Sequence, residues 1–297
     1  MTAPSTVRAL SSITRPHIMA IATLACLTFG HVFCGGYAWL AAGLCALDWF
    51  LVNLLNRVVD FGEDRVNAVA GTEQAWRHRK LIARGGLAVL ALSLVIQGLL
   101  LPALLPWRLA YHGLGLAYNW PLLPGKRRIK QLYLIKNAAS TTGFILTCFA
   151  YPIVSSAQHG PPLLPDVTPL SVALMAAFFF LFELSYEIIY DLRDREGDAA
   201  SGLPTFPVVH GVAGAMRIID SLLLASLAIV WLGWAAGWIP WRAAVMGVAP
   251  LLQLVLYKGM LRSGGVTSAH CTGLTWLGAA LLAAYHGWEL AGLPGAG

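Results

Sequence analysis

Apolar residues fill most of this chain in long blocks, separated by short stretches where charge, proline and glycine gather. Nine blocks read as membrane-spanning helices, at about residues 17–34, 38–59, 82–101, 103–120, 135–155, 168–190, 215–236, 240–259 and 267–290. A helix rises about 1.5 Å per residue and the hydrocarbon core is about 30 Å thick, so roughly 20 apolar residues make one crossing. The third and fourth blocks are one run broken at Pro102, and Pro106, Trp107 and Arg108 interrupt the fourth again. Pro121, Pro124 and Gly125 open the connection before the fifth block, and Pro161, Pro162 and Pro165 mark the one after it. The pattern predicts an all-α, polytopic membrane protein, a bundle of nine transmembrane helices.

Composition removes the soluble alternatives. The 297 residues are 58% hydrophobic and 11% charged, where a soluble domain carries about 25% charged residues. Surface area does not shrink fast enough with size for a soluble core to absorb that excess. The net charge of +6 matters less than its placement. With nine spans, Arg8, Arg15, Arg65, Arg77, Lys80, Lys126, Arg127, Arg128, Lys130, Arg193 and Arg262 share one side, and the loops opposite receive only Arg108 and Arg242. Cytosolic loops carry the excess of Lys and Arg, so the N-terminus is expected in the cytosol and the C-terminus across the bilayer. The same asymmetry explains the basic balance without a nucleic-acid partner. The five cysteines form no C-x-x-C pair and read as small buried hydrophobes. The stretch before Arg15 reads as a short cytosolic tail rather than a cleavable signal peptide.

Of the 14 acidic residues, eight fall in two windows. The first contains Asn53, Asn56, Asp60, Glu63 and Asp64, and the second contains Glu187, Asp191, Asp194, Glu196 and Asp198. Successive helical side chains are about 100° apart, so Asn56, Asp60 and Asp64 share one face, as do Glu187, Asp191, Asp194 and Asp198. Glu63 and Glu196 point off these rows and read as solvated. Rows of like charge at the ends of membrane helices repel and cost desolvation, so a positive group should offset them. Carboxylate and amide oxygens suit hard cations, Mg²⁺ first, and Mg²⁺ completes its shell with phosphate and water. With Lys and Arg nearby, the expected ligand is a Mg²⁺-bridged diphosphate. Asp48, Glu183 and Asp220 also lie within apolar blocks and are suspects for function.

At these residues the chain resembles the UbiA superfamily of intramembrane prenyltransferases. Asn56, Asp60 and Asp64 match the N-x-x-x-D-x-x-x-D motif of that family, and Asp191, Asp194 and Asp198 match its second aspartate motif. Asp64-Arg65-Val66-Asn67 matches its D-R-x-N extension, Arg15-Pro16-His17 looks like the opening of its first helix, and the segment Tyr118 to Lys126 looks like its loop after helix four. One departure stands out: the family continues with Lys-Pro-x-Arg-Pro, where this chain has Ala68-Val69-Ala70-Gly71-Thr72.

The resemblance implies a tail over 1–14, a single UbiA-like domain over 15–297, and a central cavity open to the cytosolic side. It implies transfer of an isoprenyl group from an isoprenyl diphosphate to a hydrophobic or aromatic acceptor through an allylic cation. Asp60, Asp64, Asp191 and Asp194 would be catalytic, and these four with Asn56 and Asp198 would hold Mg²⁺. Arg65, Lys126, Arg127, Lys130 and Arg193 are the candidates for the diphosphate. Arg15, Asn53, Tyr118, Lys136, Asn137, Tyr186, Glu187 and Tyr190 are candidates to face the acceptor or the cation. The tyrosines read equally as interfacial anchors, and Arg15 as a topology anchor.

Two other readings compete. A secondary transporter places charge near the midplane on broken helices, whereas these acids gather at helix ends. Within the same superfamily, a cyclase would quench the cation internally, and a transferase could also use a non-aromatic acceptor. Donor chain length and oligomeric state leave no pattern in the sequence.

Overall fold

The computed structural model of the chain describes residues 6–67, 69–158, 160 and 162–292. Ala68, Pro161 and the side chain of Arg8, all used above, lie outside the described residues. Twelve helices account for the architecture: α1 (Thr6–Thr14), α2 (Pro16–Cys34), α3 (Trp39–Val59), α4 (Phe61–Val66), α5 (Thr72–Arg77), α6 (Arg79–Leu100), α7 (Leu105–Asn119), α8 (Ile135–Ser156), α9 (Pro169–Ala200), α10 (Phe206–Ala235), α11 (Trp241–Arg262) and α12 (Ser268–Leu290). Among the described residues the one β feature is an isolated bridge between Leu123 and Arg127.

Seven helices, α2, α3, α6, α8, α9, α10 and α11, are long and apolar enough to cross a membrane. The sequence predicts nine. The two that fall short are α7, with 15 residues, and α12, which is long but carries His270, Thr275, His286 and Glu289. The outward faces agree with a lipid setting. Helix α6 presents Leu92, Val95 and Leu99 to the outside, a face that water would penalise and lipid does not. Inside, α2 meets α3 through Ala22, Ala25, Cys26, Ala41, Ala42 and Cys45, all buried. Small residues let backbones approach where no hydrophobic drive pulls helices together.

Local chemistry sets the helix ends. Pro16 opens α2 at a position whose N–H would be unpaired anyway, with Arg15 before it in the left-handed region at φ 47°. The Thr168 hydroxyl accepts from the Ser171 N–H at 3.1 Å and Pro169 follows, which starts α9. Helix α9 then runs unbroken for 32 residues, past the apolar block and through the whole second acidic window. Helix α8 widens into a π turn over Leu146–Ala150 just before Pro152, which supplies no N–H to the ladder. Gly211, at φ 68° and ψ 173°, interrupts α10, so its membrane part starts one residue later.

Three sequence expectations change here. The tail expected over 1–14 includes helix α1, which packs on α3 and α5 with Ala9 buried. Arg108, expected in a loop, lies in the first turn of α7 with 0% exposure. Its partner Asp48 is 60 residues away in sequence, which explains why local hydropathy misplaces it. The third change is a break at Asp60 (φ −89°, ψ 18°), which divides the first acidic row between α3 and α4.

Candidate functional site

The ends of the two acidic helices touch. The Asn67 side chain sits against Gly197 so closely that a Cβ there would run into its amide. The D-R-x-N element of one window therefore seats on the E-G-D element of the other, and only glycine leaves the room.

The same two helices, α3 and α9, help to wall a cavity of about 460 Å³. It follows α2 from Arg15 to Phe29 and α12 from Leu274 to Trp288, a depth of roughly 20 Å at 1.5 Å per helical residue. Its mouth carries Arg15, Asn53, Asn56, Tyr118, Glu187 and Tyr190, and its depth carries Phe29, Phe144, Phe178, Phe179 and Phe182.

Next to this mouth every aspartate of the two rows meets a base. Lys130 Nζ contacts both Asp60 and Glu63. Arg128 adds Nη2 to Glu63 at 3.1 Å and Nη1 to Asp60 at 3.7 Å. Arg57 donates to Asp64 at 2.6 Å. On the facing row, Lys136 lies 2.7 Å from Asp191 and 3.4 Å from Asp198. Asn137 donates to Asp191 at 2.8 Å. Arg193 grips Asp194, with Nε at 2.8 Å, and stands 4.8 Å over the Tyr190 ring. Burial pushes the Asp60 carboxyl up, and Lys130 beside it pulls it back.

The remaining candidates are fixed by neutral partners. Arg15 donates to Asn53 Oδ1 at 2.9 Å, and Asn53 donates in turn to the Trp49 carbonyl at 2.9 Å. Glu187 accepts from the Ser140 hydroxyl at 2.7 Å. Tyr186 and Tyr190 share Thr275, with Tyr190 at 2.9 Å. Asn56 Oδ1 is buried without a hydrogen-bond partner among the described residues.

The structure does not bring every sequence candidate to the carboxylates. Arg65 is 70% exposed and pairs at 3.6 Å with Glu73. Lys126 and Arg127 are exposed in the turn before α8. Arg57, Glu63 and Arg128 do join the site, and sequence reasoning missed all three. The i+4 ladder leaves Glu63 in solvent, but the break at Asp60 shifts the helical phase, and Glu63 meets Lys130. A spacing of seven residues between Arg57 and Asp64, two helical turns, was an available signal for that pair. The histidines look scattered in sequence, yet His31 and His286 meet Glu289 and Tyr37 at the far end of the bundle. Where the family's Lys-Pro-x-Arg-Pro is missing, α5 stacks Trp76 on Phe61 at 4.3 Å, and the Arg79 guanidinium stands 4.2 Å from the Trp76 ring.

A metal fits the chemistry of this donor set. Among the described residues no three His, Cys, Asp or Glu side chains surround one point. Mg²⁺ does not need such a cage, because it usually takes one or two carboxylates and fills its shell from phosphate and water. Asn56 Oδ1, orphaned at the cavity mouth, offers a neutral oxygen beside the first row.

Comparison with known proteins decides the kinship, since the model of the UbiA prenyltransferase family matches residues 17–267. The chain belongs to the UbiA prenyltransferase family. A digeranylgeranylglyceryl phosphate synthase of Thermococcus kodakarensis is 26% identical over 289 residues, 89% of this chain and 90% of that one. A 4-hydroxybenzoate octaprenyltransferase of Alcanivorax borkumensis is 30% identical over 167 residues, 56% of this chain and 51% of its own length. The match to a digeranylgeranylglyceryl phosphate synthase of Methanopyrus kandleri, 34% identical, spans 29% of this chain and 31% of that protein. The fold is that of a UbiA homolog from Archaeoglobus fulgidus bound to GPP and Mg²⁺, with a TM-score of 0.67, 16% identity, and 93% and 97% of the two chains covered.

Proposed function

We propose that this UbiA-family chain is an intramembrane enzyme that transfers an isoprenyl group from an isoprenyl diphosphate to an electron-rich small-molecule acceptor, with Mg²⁺ at the cavity mouth. The observation that carries the reading is two base-paired aspartate rows whose helices touch at Asn67 and Gly197, beside one deep apolar cavity that Asn56 and Glu187 of the same rows line. The name of the Archaeoglobus homolog, with GPP and Mg²⁺ bound, supports the donor and the metal. The names of the two kinds of relatives support an acceptor without choosing between glyceryl phosphate and hydroxybenzoate chemistry.

Asn56, Asp60 and Asp64 on one side and Asp191, Asp194 and Asp198 on the other would hold the ions. Bound there, Mg²⁺ would supply the positive charge that offsets the departing diphosphate. The chain's own cations do the rest. Lys130, Arg128, Lys136 and Arg193 hold the carboxylates at rest and are placed to turn to diphosphate oxygens as the donor arrives. Arg65, Lys126 and Arg127 are exposed nearby and suit a role in drawing the donor in. The isoprenyl tail lies along Phe29, Phe144, Phe178, Phe179 and Phe182, which exclude water from the allylic carbon. Tyr118, Tyr186 and Tyr190 line the cavity where positive charge develops, with ring faces available to it. Lys136 and Asn137 orient Asp191, and Asn53 orients Arg15.

Nine membrane crossings, with the site at the cytosolic face, keep the basic loops on one side. Helices α7 and α12 then cross as members of a bundle that shields their polar groups, and the described residues from Arg15 onward form one unit. The experiment is turnover by purified protein with Mg²⁺, geranylgeranyl diphosphate and a panel of 4-hydroxybenzoate, other aromatic acids and geranylgeranylglyceryl phosphate. Prenylated product that disappears with EDTA and returns with Mg²⁺ is expected. Solute uptake by proteoliposomes without diphosphate release would overturn the reading, and a cyclised hydrocarbon from donor alone would redirect it.

A further inference from the structure

About five and a half turns of α9 separate Phe178 from Asp198, and the one acid on that face without a partner among the described residues is Glu183. It lies one turn deeper than Glu187 and two turns deeper than Asp191, about 6 and 12 Å along the helix. Its side chain lines the cavity beside Phe179, Phe182 and Leu274. It makes no hydrogen bond or ion pair with any described residue, and the charge that acts on it is that of Glu187. Every other acid within the apolar helices has at least one polar partner among the described residues. Asp48 has Arg108 and Tyr151, Asp220 has Tyr257 and Lys258, Glu187 has Ser140, and Glu289 has His31.

A lone carboxyl in an apolar cavity within lipid is costly, and such groups mark function. What can satisfy it must enter the cavity and must donate a hydrogen bond. The isoprenyl donor cannot, because its tail is hydrocarbon and its diphosphate is an anion held at the mouth. The acceptor is the other visitor. At the mouth, Arg15 faces the same cavity with only the neutral Asn53 amide on it, which leaves its charge open to an anion.

On the prenyl-transfer reading above, we propose that Glu183 receives the acceptor's nucleophilic hydroxyl, while Arg15 holds an anionic group at the acceptor's other end. The acceptor class is therefore a hydroxyl compound carrying a carboxylate or phosphate. In the step, the C1–O bond of the donor breaks and its electron pair leaves with diphosphate. A lone pair of the hydroxyl oxygen forms the new bond to C1, and the hydroxyl proton passes to the Glu183 carboxylate. The products are an ether, diphosphate and a protonated Glu183, which returns its proton to water through the mouth after release.

The test compares wild type, E183Q and E183D in Mg²⁺ with geranylgeranyl diphosphate, using geranylgeranylglyceryl phosphate and 4-hydroxybenzoate as the probes. General-base contributions are about 100-fold or more. E183Q is expected to lose about that much in kcat for ether formation, with donor KM unmoved and the thermal midpoint of the protein retained. E183D is expected to recover part of the loss. E183Q turnover within a few-fold of wild type overturns the proposal, as does a loss that appears wholly in donor KM. Carbon-prenylated hydroxybenzoate as the sole product overturns the ether step. Wild type that releases no diphosphate and makes neither product overturns the transfer reading itself and this proposal with it.

Discussion

Asp48 and Asp191 are both buried carboxylates next to cations, at 0% and 4% exposure, and they differ in what remains unsatisfied around them. Asp48 takes Nε and Nη2 of Arg108, the Tyr151 hydroxyl at 2.8 Å and His112 Nε2 at 2.9 Å. Arg108 spends its remaining reach on Ser93, hydroxyl and carbonyl. Nothing in that cluster is left to bind a ligand, and its four helices α3, α6, α7 and α8 are tied together by it. Asp191 takes one lysine and one amide, and it stands in a row with Asp194 and Asp198 whose charges repel. Its lysine is shared with Asp198. Both sites would be flagged alike by depth and charge alone. Saturation separates a bolt from a binding site: the first has its donors fixed by the fold, the second has cations that can be lent to a ligand.

The comparison breaks most easily at Asp48. Asp48→Ala leaves the Arg108 guanidinium buried and uncompensated, a situation that costs about 3–5 kcal/mol. The expected result is a large drop in thermal midpoint in detergent, with metal and donor dependence unchanged in whatever folds. Replacing the pair together, Asp48→Leu with Arg108→Leu, is expected to recover most of the loss. A stable Asp48→Ala protein that has lost activity would place Asp48 with the catalytic acids instead.

Asp60→Ala and Asp191→Ala should behave in the opposite way. Each is expected to lower kcat by about 100-fold or more, near 2.7 kcal/mol at the transition state. The thermal midpoint should fall far less than for Asp48→Ala, because Lys130 keeps Glu63 and Lys136 keeps Asp198. Steady-state turnover and unfolding on the same preparations check both halves. Unaltered turnover in either variant would remove the metal role from that row.

This contrast also explains what the sequence could carry. The apolar blocks and the three- and four-residue spacing of Asn56, Asp60, Asp64, Asp191, Asp194 and Asp198 are local periodicities, and they were legible. Helix α9 continues unbroken through its row, so that row reads directly. The break at Asp60 is a matter of two backbone angles, invisible in an i+4 ladder, and it conceals Glu63. Partners from distant helices were not legible at all: Arg108 on Asp48, Lys130 on Asp60 and Lys136 on Asp191 join residues 60, 70 and 55 positions apart. Nor was the isolation of Glu183, which is a property of what surrounds it in space. Asp48, Glu183 and Asp220 were all suspects by depth, and only geometry tells the two paired acids from the lone one.

A third carboxylate calibrates the small end of the scale. Asp166, in the connection before α9, receives both Arg242 nitrogens, at 2.5 and 2.8 Å, while its side chain stays 53% exposed. Arg242 also donates to the Val32 carbonyl at 3.2 Å, so the pair pins that connection to the end of α2. The Arg242 guanidinium holds the Asp166 carboxyl below its usual range. A carboxyl depressed in the folded state adds stability above its unfolded value of about 3.9, and that stability is lost as pH falls through the folded value. Solvent screens an exposed pair, so the contribution is below about 1 kcal/mol even with good bidentate geometry. Thermal midpoints of wild type and Asp166→Asn, followed from pH 6 downward, should differ by a degree or two at the top, begin to converge only below about pH 4, and meet once pH has passed the depressed folded value. A gap as large as that of Asp48→Ala would mean that burial in the bundle is not what makes the Asp48 cluster strong, and the distinction between saturated and lendable pairs would lose its physical basis.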